Sequence, residues 1–232
     1  MEDGAELPDF FTRNKGSITR AQQFQLRSAT VSVIGCGGLG GFVIEELARL
    51  GIGSLRICDP DKFSASNINR QLYAQNATIG QYKAAVAAER VRLIHGQTTV
   101  LPLTTRFQET GEQLFADTEV VVDCLDNPEG RRELAEQCSQ YKTPLVHGAV
   151  QQWYGQVGVQ LAGGTLMQDL YGSHSDEETT APSVLSCTVG LVASTQVAET
   201  CKLLLGMDSP LHNTWMSIDL RRVTFDIIDR KF

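Results

Sequence analysis

The sequence predicts an α/β fold with a doubly wound sheet, in which antiparallel C-terminal strands continue a parallel N-terminal half. Three observations lead to this prediction. Short apolar runs alternate with segments of helical periodicity over the first part of the chain, as in βαβ units. A glycine-rich turn joins the first apolar run to the first long helical segment. Two segments of alternating apolar and polar residues come last, which is typical of antiparallel strands.

The glycine-rich turn reads GCGGLG and contains Gly35, Gly37, Gly38 and Gly40. Gly35 permits the tight turn, Gly37 lets the backbone approach a phosphate, and Gly40 allows close packing of the helix. The free N–H groups at the helix N-terminus attract an anion. We therefore expect all four glycines to belong to the nucleotide site of a Rossmann-like fold. The alternative is that they only shape a tight turn.

The elements around this turn follow from periodicity and turn signals. A short helix over residues 19–27 should precede the first strand. The second strand ends in Asp59, close to the ~20-residue spacing from the glycine turn that a ribose ligand requires. Residues 60–80 form a polar connection too long for an ordinary loop, so we expect it to be functional.

The rest of the chain completes the predicted order. We expect a helix over residues 81–93, a strand over 100–107, a strand buried on both faces over 119–124, a helix that begins at Pro128, a hairpin within 145–161, a helix over 187–205 and two final strands. The sequence contains no repeat and no low-complexity linker. Residues 1–232 are therefore predicted to form a single domain with an extended N-terminal arm over residues 1–16.

Composition restricts the possible partners. The net charge of −7 and the pI near 5.1 make binding to nucleic acid or an anionic membrane unlikely. No apolar run approaches the ~18 residues that span a bilayer, and the first residues do not resemble a signal peptide, so we expect a cytoplasmic protein. The cysteines form no C-x-x-C pair and are expected to be reduced, buried thiols without structural zinc. They are Cys36, Cys58, Cys124, Cys138, Cys187 and Cys201.

The candidate binding and catalytic residues come from loops that follow neighbouring strands and should converge at the carboxyl edge of the sheet. They are Asp59, Asn67, Asn69, Arg70, Gln71, Lys83, Asp126 and Asn127. Hydride transfer has little use for two cations and a carboxylate placed beyond the ribose. Cleavage of ATP at the α-phosphate does, because the pyrophosphate that leaves must be stabilised by fixed cations and Mg²⁺. Arg70 and Lys83 supply the cations, and Asp126 can hold Mg²⁺.

No catalytic triad accompanies these residues. A carboxylate nucleophile is already ionised near neutral pH, so positioning and electrostatics suffice without a general base. Less specific roles remain open for some residues. Arg70 and Lys83 could be ordinary surface charges. Asp126 could cap the helix at Pro128, and Asp61 could only shape its loop.

Four motifs together, GCGGLG, DPDKFSASNINRQ, IGQYKA and DCLDN, resemble the ThiF/MoeB/HesA family, the bacterial relatives of ubiquitin-activating enzymes. The resemblance extends from about Arg13 to the C-terminus. It implies adenylation, with MgATP, of the C-terminal glycine of a ubiquitin-like protein, often a sulfur carrier. It assigns Asp59 to the ribose, Asn67, Arg70 and Lys83 to the phosphates, and Asp126 to magnesium.

The resemblance also implies a homodimer in which an N-terminal arginine reaches the ATP of the neighbouring subunit. Arg13 is the expected match, with Arg20 as the weaker candidate. The chain departs from some relatives, because it lacks two C-x-x-C pairs and has no cysteine in the loop before the late helix until Cys187. Adenylation is therefore predicted without a covalent thiol step. Residues 173–182 are expected to cover the bound tail.

Two other residues have both a structural and a chemical interpretation. His147 is expected to be a hydrogen-bonded core histidine rather than a base, and Cys187 a packing residue rather than a reactive thiol. Three alternatives to the leading function stay open. They are adenylation of another carboxylate or of a tRNA-linked carbamoyl group, an NAD-dependent oxidoreductase, and a catalytically inactive partner subunit.

Overall fold

The computed structural model describes residues 7–172 and 183–228. In these residues one sheet holds β1 Thr30–Ile34, β2 Ser54–Cys58, β3 Thr99–Leu103, β4 Val120–Asp123, β5 Leu145–Gln151, β6 Tyr154–Gln160, β7 Trp215–Asp219 and β8 Thr224–Ile228. The helices are α1 Arg20–Ser28, α2 Gly38–Leu50, α3 Lys83–Ile94, α4 Glu112–Phe115, α5 Pro128–Tyr141, α6 Leu166–Tyr171 and α7 Ser186–Leu204. Short 3-10 helices cover Asp9–Asn14, Ala65–Asn67 and Phe107–Glu109.

The strand order across the sheet is β3-β2-β1-β4-β5-β6-β7-β8. Strands β1 to β5 pair in parallel, and β6, β7 and β8 pair antiparallel. This arrangement confirms the predicted fold class. The chain winds outward from β1 to β3 and then returns to place β4 on the other side of β1. The switch point of the sheet, where ligands bind in such folds, therefore lies between β1 and β4.

Hydrophobic clusters cover both faces of the sheet. Helices α2, α3 and α7 pack on one face of the sheet, and α4, α5 and α6 pack on the other. Strand β4 contributes to both, with Val120 and Val122 on the first face and Val121 on the second. Burial on both faces explains why β4 is a continuous apolar run rather than an alternating one.

Most predicted elements are present within two or three residues of their expected ends. The predicted strand over residues 100–107 is shorter, because the chain leaves the sheet after Leu103 and Phe107 begins a 3-10 helix. The short helices α4 and α6 were not predicted, since neither is long enough to give a periodic pattern. Residues 173–182, expected to cover the bound tail, lie outside the described residues. Within the described ranges no helix combines the length and apolar character needed to cross a membrane.

The prediction of an extended arm is wrong for the part of residues 1–16 that the structure describes. Residues Asp9–Asn14 form a 3-10 helix, and Phe11 is buried. Phe11 packs on Gly51 at the C-terminal end of α2, while Phe10 stacks on His95 with ring centroids 4.8 Å apart. A pair of adjacent aromatic residues thus docks this segment to the domain.

Candidate active site

The glycine turn lies at the carboxyl edge of the sheet and joins β1 to α2. Gly35 has a φ of +96°, and a Cβ there would lie 2.6 Å from the carbonyl oxygen of Cys124. A Cβ on Gly40 would lie 1.8 Å from the carbonyl oxygen of Gly35. The tight turn and the close helix packing predicted for these two glycines are therefore present. No side chain caps the N-terminus of α2 at Gly37, so its first N–H groups can receive an anion.

Asp59 ends β2 directly beside this turn. Its Oδ2 accepts a hydrogen bond of 2.7 Å from the backbone N–H of Cys36, and its Oδ1 accepts one of 2.8 Å from that of Asp61. Burial raises the pKa of the Asp59 carboxyl, whereas nearby Lys83 and the two N–H groups act in the opposite direction. The carboxylate is thereby fixed beside the glycine turn, as a ligand of ribose hydroxyls would have to be.

Lys83 is the first residue of α3 and is buried. Its Nζ lies 2.9 Å from Oδ2 of Asp61, and its backbone N–H donates a bond of 2.9 Å to the Asp61 carbonyl oxygen. The positive charge of the ammonium also acts on Asp59, where it opposes the rise in pKa that burial causes. Lys83 is therefore not the ordinary surface charge of the less specific interpretation, and Asp61 has a defined partner.

The connection over residues 60–80 is held against the domain rather than free. Phe63, Tyr73 and Ala74 are buried in the main hydrophobic cluster. The backbone N–H of Phe63 donates to the carbonyl oxygen of Gln81, and the N–H of Gly80 donates to that of Phe63. This anchoring brings the polar motif in the middle of the connection to the carboxyl edge of the sheet.

Gln71 lies over the glycine turn. A Cβ added to Gly37 would lie 3.3 Å from Nε2 of Gln71, so the two residues are in contact range. Gln71 is buried, yet its Oε1 has no hydrogen-bond partner in the part of the chain that the structure describes. Buried polar atoms are normally paired, so this oxygen is available to a ligand that occupies the turn.

The neighbouring polar residues are engaged in local contacts. Oδ1 of Asn67 accepts a hydrogen bond of 3.0 Å from the backbone N–H of Ser64. The guanidinium of Arg70 donates to the carbonyl oxygen of Ser66 at 3.0 Å and to Oδ1 of Asn69 at 2.9 Å. Arg70 is half-buried, and its backbone lies close to Gly38. Both predicted phosphate ligands thus lie in the connection beside the turn.

The turn after β4 supplies Asp126 and Asn127, and both are exposed. Asn127 caps α5, because its Oδ1 accepts a bond of 2.8 Å from the backbone N–H of Gly130. The capping role considered for Asp126 therefore belongs to its neighbour, and the oxygen of Asn127 is already used. The carboxylate of Asp126 faces solvent at the edge where the glycine turn lies.

The structure does not bring Arg13 into this group. Arg13 is exposed at the end of the 3-10 helix that packs on Gly51. Because α2 runs about 20 Å from the glycine turn to Gly51, at ~1.5 Å per residue, the segment lies at the opposite edge of the sheet. Arg13 therefore does not reach the glycine turn of its own chain.

A buried polar network that was not predicted lies beneath the Asp126 turn. His147 is fully buried, as expected, and its Nδ1 lies 2.7 Å from Oδ2 of Asp123. Its Nε2 lies 3.1 Å from the hydroxyl of Tyr171, which Arg131 also contacts at 2.5 Å. Burial lowers the pKa of His147. The two aspartates of DCLDN were visible in the sequence, but Tyr171 follows a segment without any motif.

The cysteines are mostly the buried thiols that were predicted. Burial raises the pKa of Cys36 and Cys124 well above the usual range and that of Cys58 to about 12. Such thiols stay protonated near neutral pH and are poor nucleophiles. The prediction for Cys187 is wrong, because this residue is exposed in the first turn of α7.

Comparison with known proteins supports the same class of site. A model of the ThiF family matches residues 11–231. The chain is 32% identical to the SAMP-activating enzyme E1 of Haloferax volcanii over 212 residues, which are 89% of this chain and 78% of that protein. It is 32% identical to the molybdopterin-synthase adenylyltransferase of Salmonella typhimurium over 218 residues, which are 89% of this chain and 87% of that protein.

Two further similarities cover different extents. A tRNA threonylcarbamoyladenosine dehydratase of Haemophilus influenzae is 38% identical over 124 residues, or 53% of this chain and 48% of that protein. The solved structure of Escherichia coli MccB with MccA-N7isoASN superposes with a TM-score of 0.83 at 18% identity, over 97% of this chain and 72% of that one. This last likeness concerns the fold.

A doubly wound sheet with an uncapped glycine turn, a buried acid and a buried lysine at its carboxyl edge has the features of a nucleotide-binding site. The match over nearly the whole chain shows that it belongs to the ThiF family. The predicted enzyme class, an adenylyltransferase of the ubiquitin-activating-enzyme-like type, is thereby confirmed, and with it the use of ATP.

Proposed function

We propose that this protein uses MgATP to adenylate the C-terminal glycine carboxylate of a small ubiquitin-like carrier protein. The observation that carries the proposal is the placement of Lys83 and Asp59 beside the uncapped glycine turn. A carboxylate suited to the ribose and a cation suited to the phosphates thus lie close together beside the turn. The activities named for the relatives from Haloferax volcanii and Salmonella typhimurium point the same way.

In the proposed reaction a carboxylate oxygen of the carrier attacks the α-phosphorus of ATP. The bond between that phosphorus and the bridging oxygen to the β-phosphate breaks, and pyrophosphate leaves with the electron pair. The product is an acyl-adenylate. No proton moves, so no base is needed. Lys83 has three donors, one of which Asp61 occupies, and the others can stabilise charge that develops on the phosphates.

Asp126 suits magnesium. Mg²⁺ commonly takes one or two protein carboxylates and completes its shell with substrate phosphates and water. An exposed carboxylate at the phosphate edge meets this requirement, even though the described residues contain no cluster of three or more metal-binding side chains. The ion, when bound, neutralises charge on the pyrophosphate that leaves. Asp126 would hold it, with Asn127 beside it.

The acceptor follows from the shape of the site and from the relatives. Burial raises the pKa of the Cys36 and Cys124 thiols, which makes them poor nucleophiles and agrees with attack by a carboxylate from outside the protein. A flexible Gly-Gly terminus can enter the edge between the turn and Asp126, because glycine has no side chain to exclude. The formal charge of −7 disfavours a bulky nucleic-acid acceptor.

A tRNA-linked acceptor is the second candidate, since the chain is 38% identical to the dehydratase named above, although over only 53% of its length. The two candidates separate in one experiment. The protein is incubated with MgATP and either a recombinant ubiquitin-like sulfur carrier ending in Gly-Gly or tRNA that contains threonylcarbamoyladenosine. Mass spectrometry then seeks one added AMP on the carrier or loss of water from the modified base.

Adenylation of the carrier, and none of the same carrier without its two terminal glycines, is the expected result. Dehydration of the modified tRNA with an unmodified carrier would contradict the proposal. A catalytically inactive subunit would modify neither acceptor. An oxidoreductase would bind NAD in equilibrium dialysis and ignore MgATP.

A further inference from the structure

The hydroxyl of Tyr171 is the centre of the buried network on the α5 face of the sheet. Arg131 Nη1 lies 2.5 Å from it, Gln156 Nε2 2.8 Å, and His147 Nε2 3.1 Å. A phenol oxygen accepts two hydrogen bonds and donates one. Because Arg131 and Gln156 can only donate here, the hydroxyl proton must go to His147. All the hydrogen-bonding capacity of Tyr171 is therefore used.

The same reasoning fixes His147 in one state. Its Nε2 faces two donors, the Tyr171 hydroxyl at 3.1 Å and Gln156 Nε2 at 3.0 Å, and as an acceptor it shares its single lone pair between them. Its Nδ1 then carries the proton and donates to Asp123 Oδ2 at 2.7 Å. The same Oδ2 of Asp123 also faces the guanidinium of Arg131, whose Nε lies 3.8 Å away.

This network holds the residue before Asp126 from two sides. Arg131 Nη2 donates to the carbonyl oxygen of Leu125 at 2.6 Å, and the backbone N–H of Leu125 donates to Asp123 Oδ1 at 3.0 Å. On the other side, Asn127 is tied to α5 by its cap. Asp126 is thus an exposed side chain on a backbone fixed at both neighbours.

Arg131 is also close enough to Asp126 to interact with its charge. The pKa of Arg131 is raised, since the effect of burial, which lowers it, is outweighed by Asp123, Tyr171 and, more weakly, Asp126. Loss of a residue that orients a metal ligand commonly lowers metal affinity about tenfold or more. Tyr171 acts on Asp126 only through Arg131, which makes it a positioning residue.

We propose that Tyr171, acting through Arg131, fixes the Leu125–Asp126–Asn127 turn and so sets the affinity of the site for the divalent cation that accompanies ATP. This inference rests on the proposed function. It concerns binding of the cation rather than of the nucleotide. Tyr171 and Arg131 lie on the opposite face of the sheet from α2 and α3, which begin at the glycine turn and at Lys83. Loss of the Tyr171 hydroxyl should therefore weaken cation binding and spare the nucleotide itself.

The test uses Mn²⁺ with the non-hydrolysable analogue α,β-methylene-ATP. Electron paramagnetic resonance measures Mn²⁺ bound to the protein–analogue complex, and calorimetry in EDTA measures the analogue without metal. For Tyr171→Phe we expect Mn²⁺ affinity to fall about tenfold, with analogue affinity in EDTA unchanged within about twofold. Gln156→Ala, which removes one contact to the same hydroxyl, should give a smaller loss in the same direction and keeps the test available if Tyr171→Phe folds poorly.

Tyr141→Phe is the matched control, because Tyr141 lies on the same helix as Arg131 but stacks on Phe115 and is 40% exposed. Its Mn²⁺ affinity should equal that of the unmodified protein. Asp126→Asn should lose Mn²⁺ more severely than Tyr171→Phe. Equal Mn²⁺ affinity in Tyr171→Phe and Tyr141→Phe, or parallel losses of Mn²⁺ and analogue, would overturn the inference alone. An unmodified protein that binds no analogue would overturn the proposed function and this inference together.

Discussion

The Lys83 ammonium lies 2.9 Å from the Asp61 carboxylate, and the backbones of the same two residues are joined by a second bond of 2.9 Å. This double contact docks the start of α3 on the loop after β2. It also places a buried cation beside Asp59, where the phosphates of a nucleotide on the glycine turn would lie.

Replacement of Lys83 by methionine should abolish most activity without unfolding the protein. Methionine fills the same volume but removes the positive charge, and loss of one donor that stabilises transition-state charge typically costs about 100- to 1,000-fold in rate. Carrier-dependent ATP–pyrophosphate exchange measures the effect. Lys62→Met is the control, since exposed Lys62 lies over the Tyr82 ring in the same loop, with Nζ 4.7 Å from the ring centroid. Equal activity of both variants would remove Lys83 from the mechanism.

Two glycines of the turn should respond differently to alanine. A Cβ on Gly40 would lie 1.8 Å from a backbone oxygen that cannot move aside, so Gly40→Ala should lower the free energy of unfolding by more than about 3 kcal/mol. A Cβ on Gly37 would lie 3.3 Å from the flexible Gln71 amide. Gly37→Ala should therefore fold but bind ATP at least about tenfold more weakly, because the methyl group intrudes on the phosphate position.

Urea denaturation and calorimetric titration with ATP separate these two effects. The control is Gly38→Ala for stability, since its Cβ would meet Val189 at an ordinary 3.5 Å and the carbonyl oxygen of Arg70 at 4.0 Å. If Gly37→Ala were as unstable as Gly40→Ala, the turn would be shaped by packing alone and the less specific interpretation of the motif would hold.

Stability should depend on the protonation of His147. Burial lowers its pKa, and the positive charge of Arg131 acts in the same direction, whereas the bond to Asp123 opposes both. In the unfolded chain the His147 imidazole takes up a proton near pH 6.5. In the folded chain it remains neutral at that pH. The free energy of unfolding should thus be fully retained above that pH and decrease below it, by at most ~1.4 kcal/mol per pH unit for this residue.

Chemical denaturation of the protein and of His147→Gln between pH 5 and pH 8 measures this dependence. The amide of glutamine can donate to Asp123 but does not titrate, so the variant should lose part of the slope, although it is less stable at pH 7. Carboxylates titrate in both proteins. The contribution of His147 is therefore the difference between the two curves of unfolding free energy against pH. Parallel curves would mean that His147 does not take up a proton on unfolding.

Arg13 offers a test of the expected homodimer. Its helix packs at the edge of the sheet away from the glycine turn, so a role in catalysis would require the site of a neighbouring subunit. Arg13→Ala and Lys83→Met should each be inactive alone. Mixed after mild dissociation, they should regain up to about a quarter of the activity, because some dimers then hold one complete site. No recovery in a mixed dimer, detected by two different affinity tags, would contradict action in the partner's site.

The sequence was sufficient for the fold class and for the order of strands and helices along the chain. Periodicity and the glycine turn carry local information, and the loops after neighbouring parallel strands must converge. The partners of these residues were less accessible. Asp61 could not be paired with Lys83 from sequence, because their contact depends on how residues 60–80 fold back through buried Phe63 and Tyr73.

The network around Tyr171 shows the same limit more clearly. Its members come from β4, α5, β5, β6 and α6, and no short motif joins them. The N-terminal segment was predicted to be extended because its composition is polar. Tertiary contacts of Phe10 and Phe11 instead dock it to the domain. Exposure of Cys187 likewise depends on where α7 begins relative to the sheet, which periodicity does not reveal.

In the proposed reaction, a carboxylate of a carrier protein attacks the α-phosphorus of ATP. The most direct measurement follows ATP labelled separately at the α- and γ-phosphates, with Mg²⁺ and a recombinant ubiquitin-like carrier that ends in Gly-Gly. The α-label should appear on the carrier while the γ-label leaves as pyrophosphate, and neither should happen with Asp126→Ala. Release of the γ-label as inorganic phosphate, with ADP as the other product and an unlabelled carrier, would contradict it.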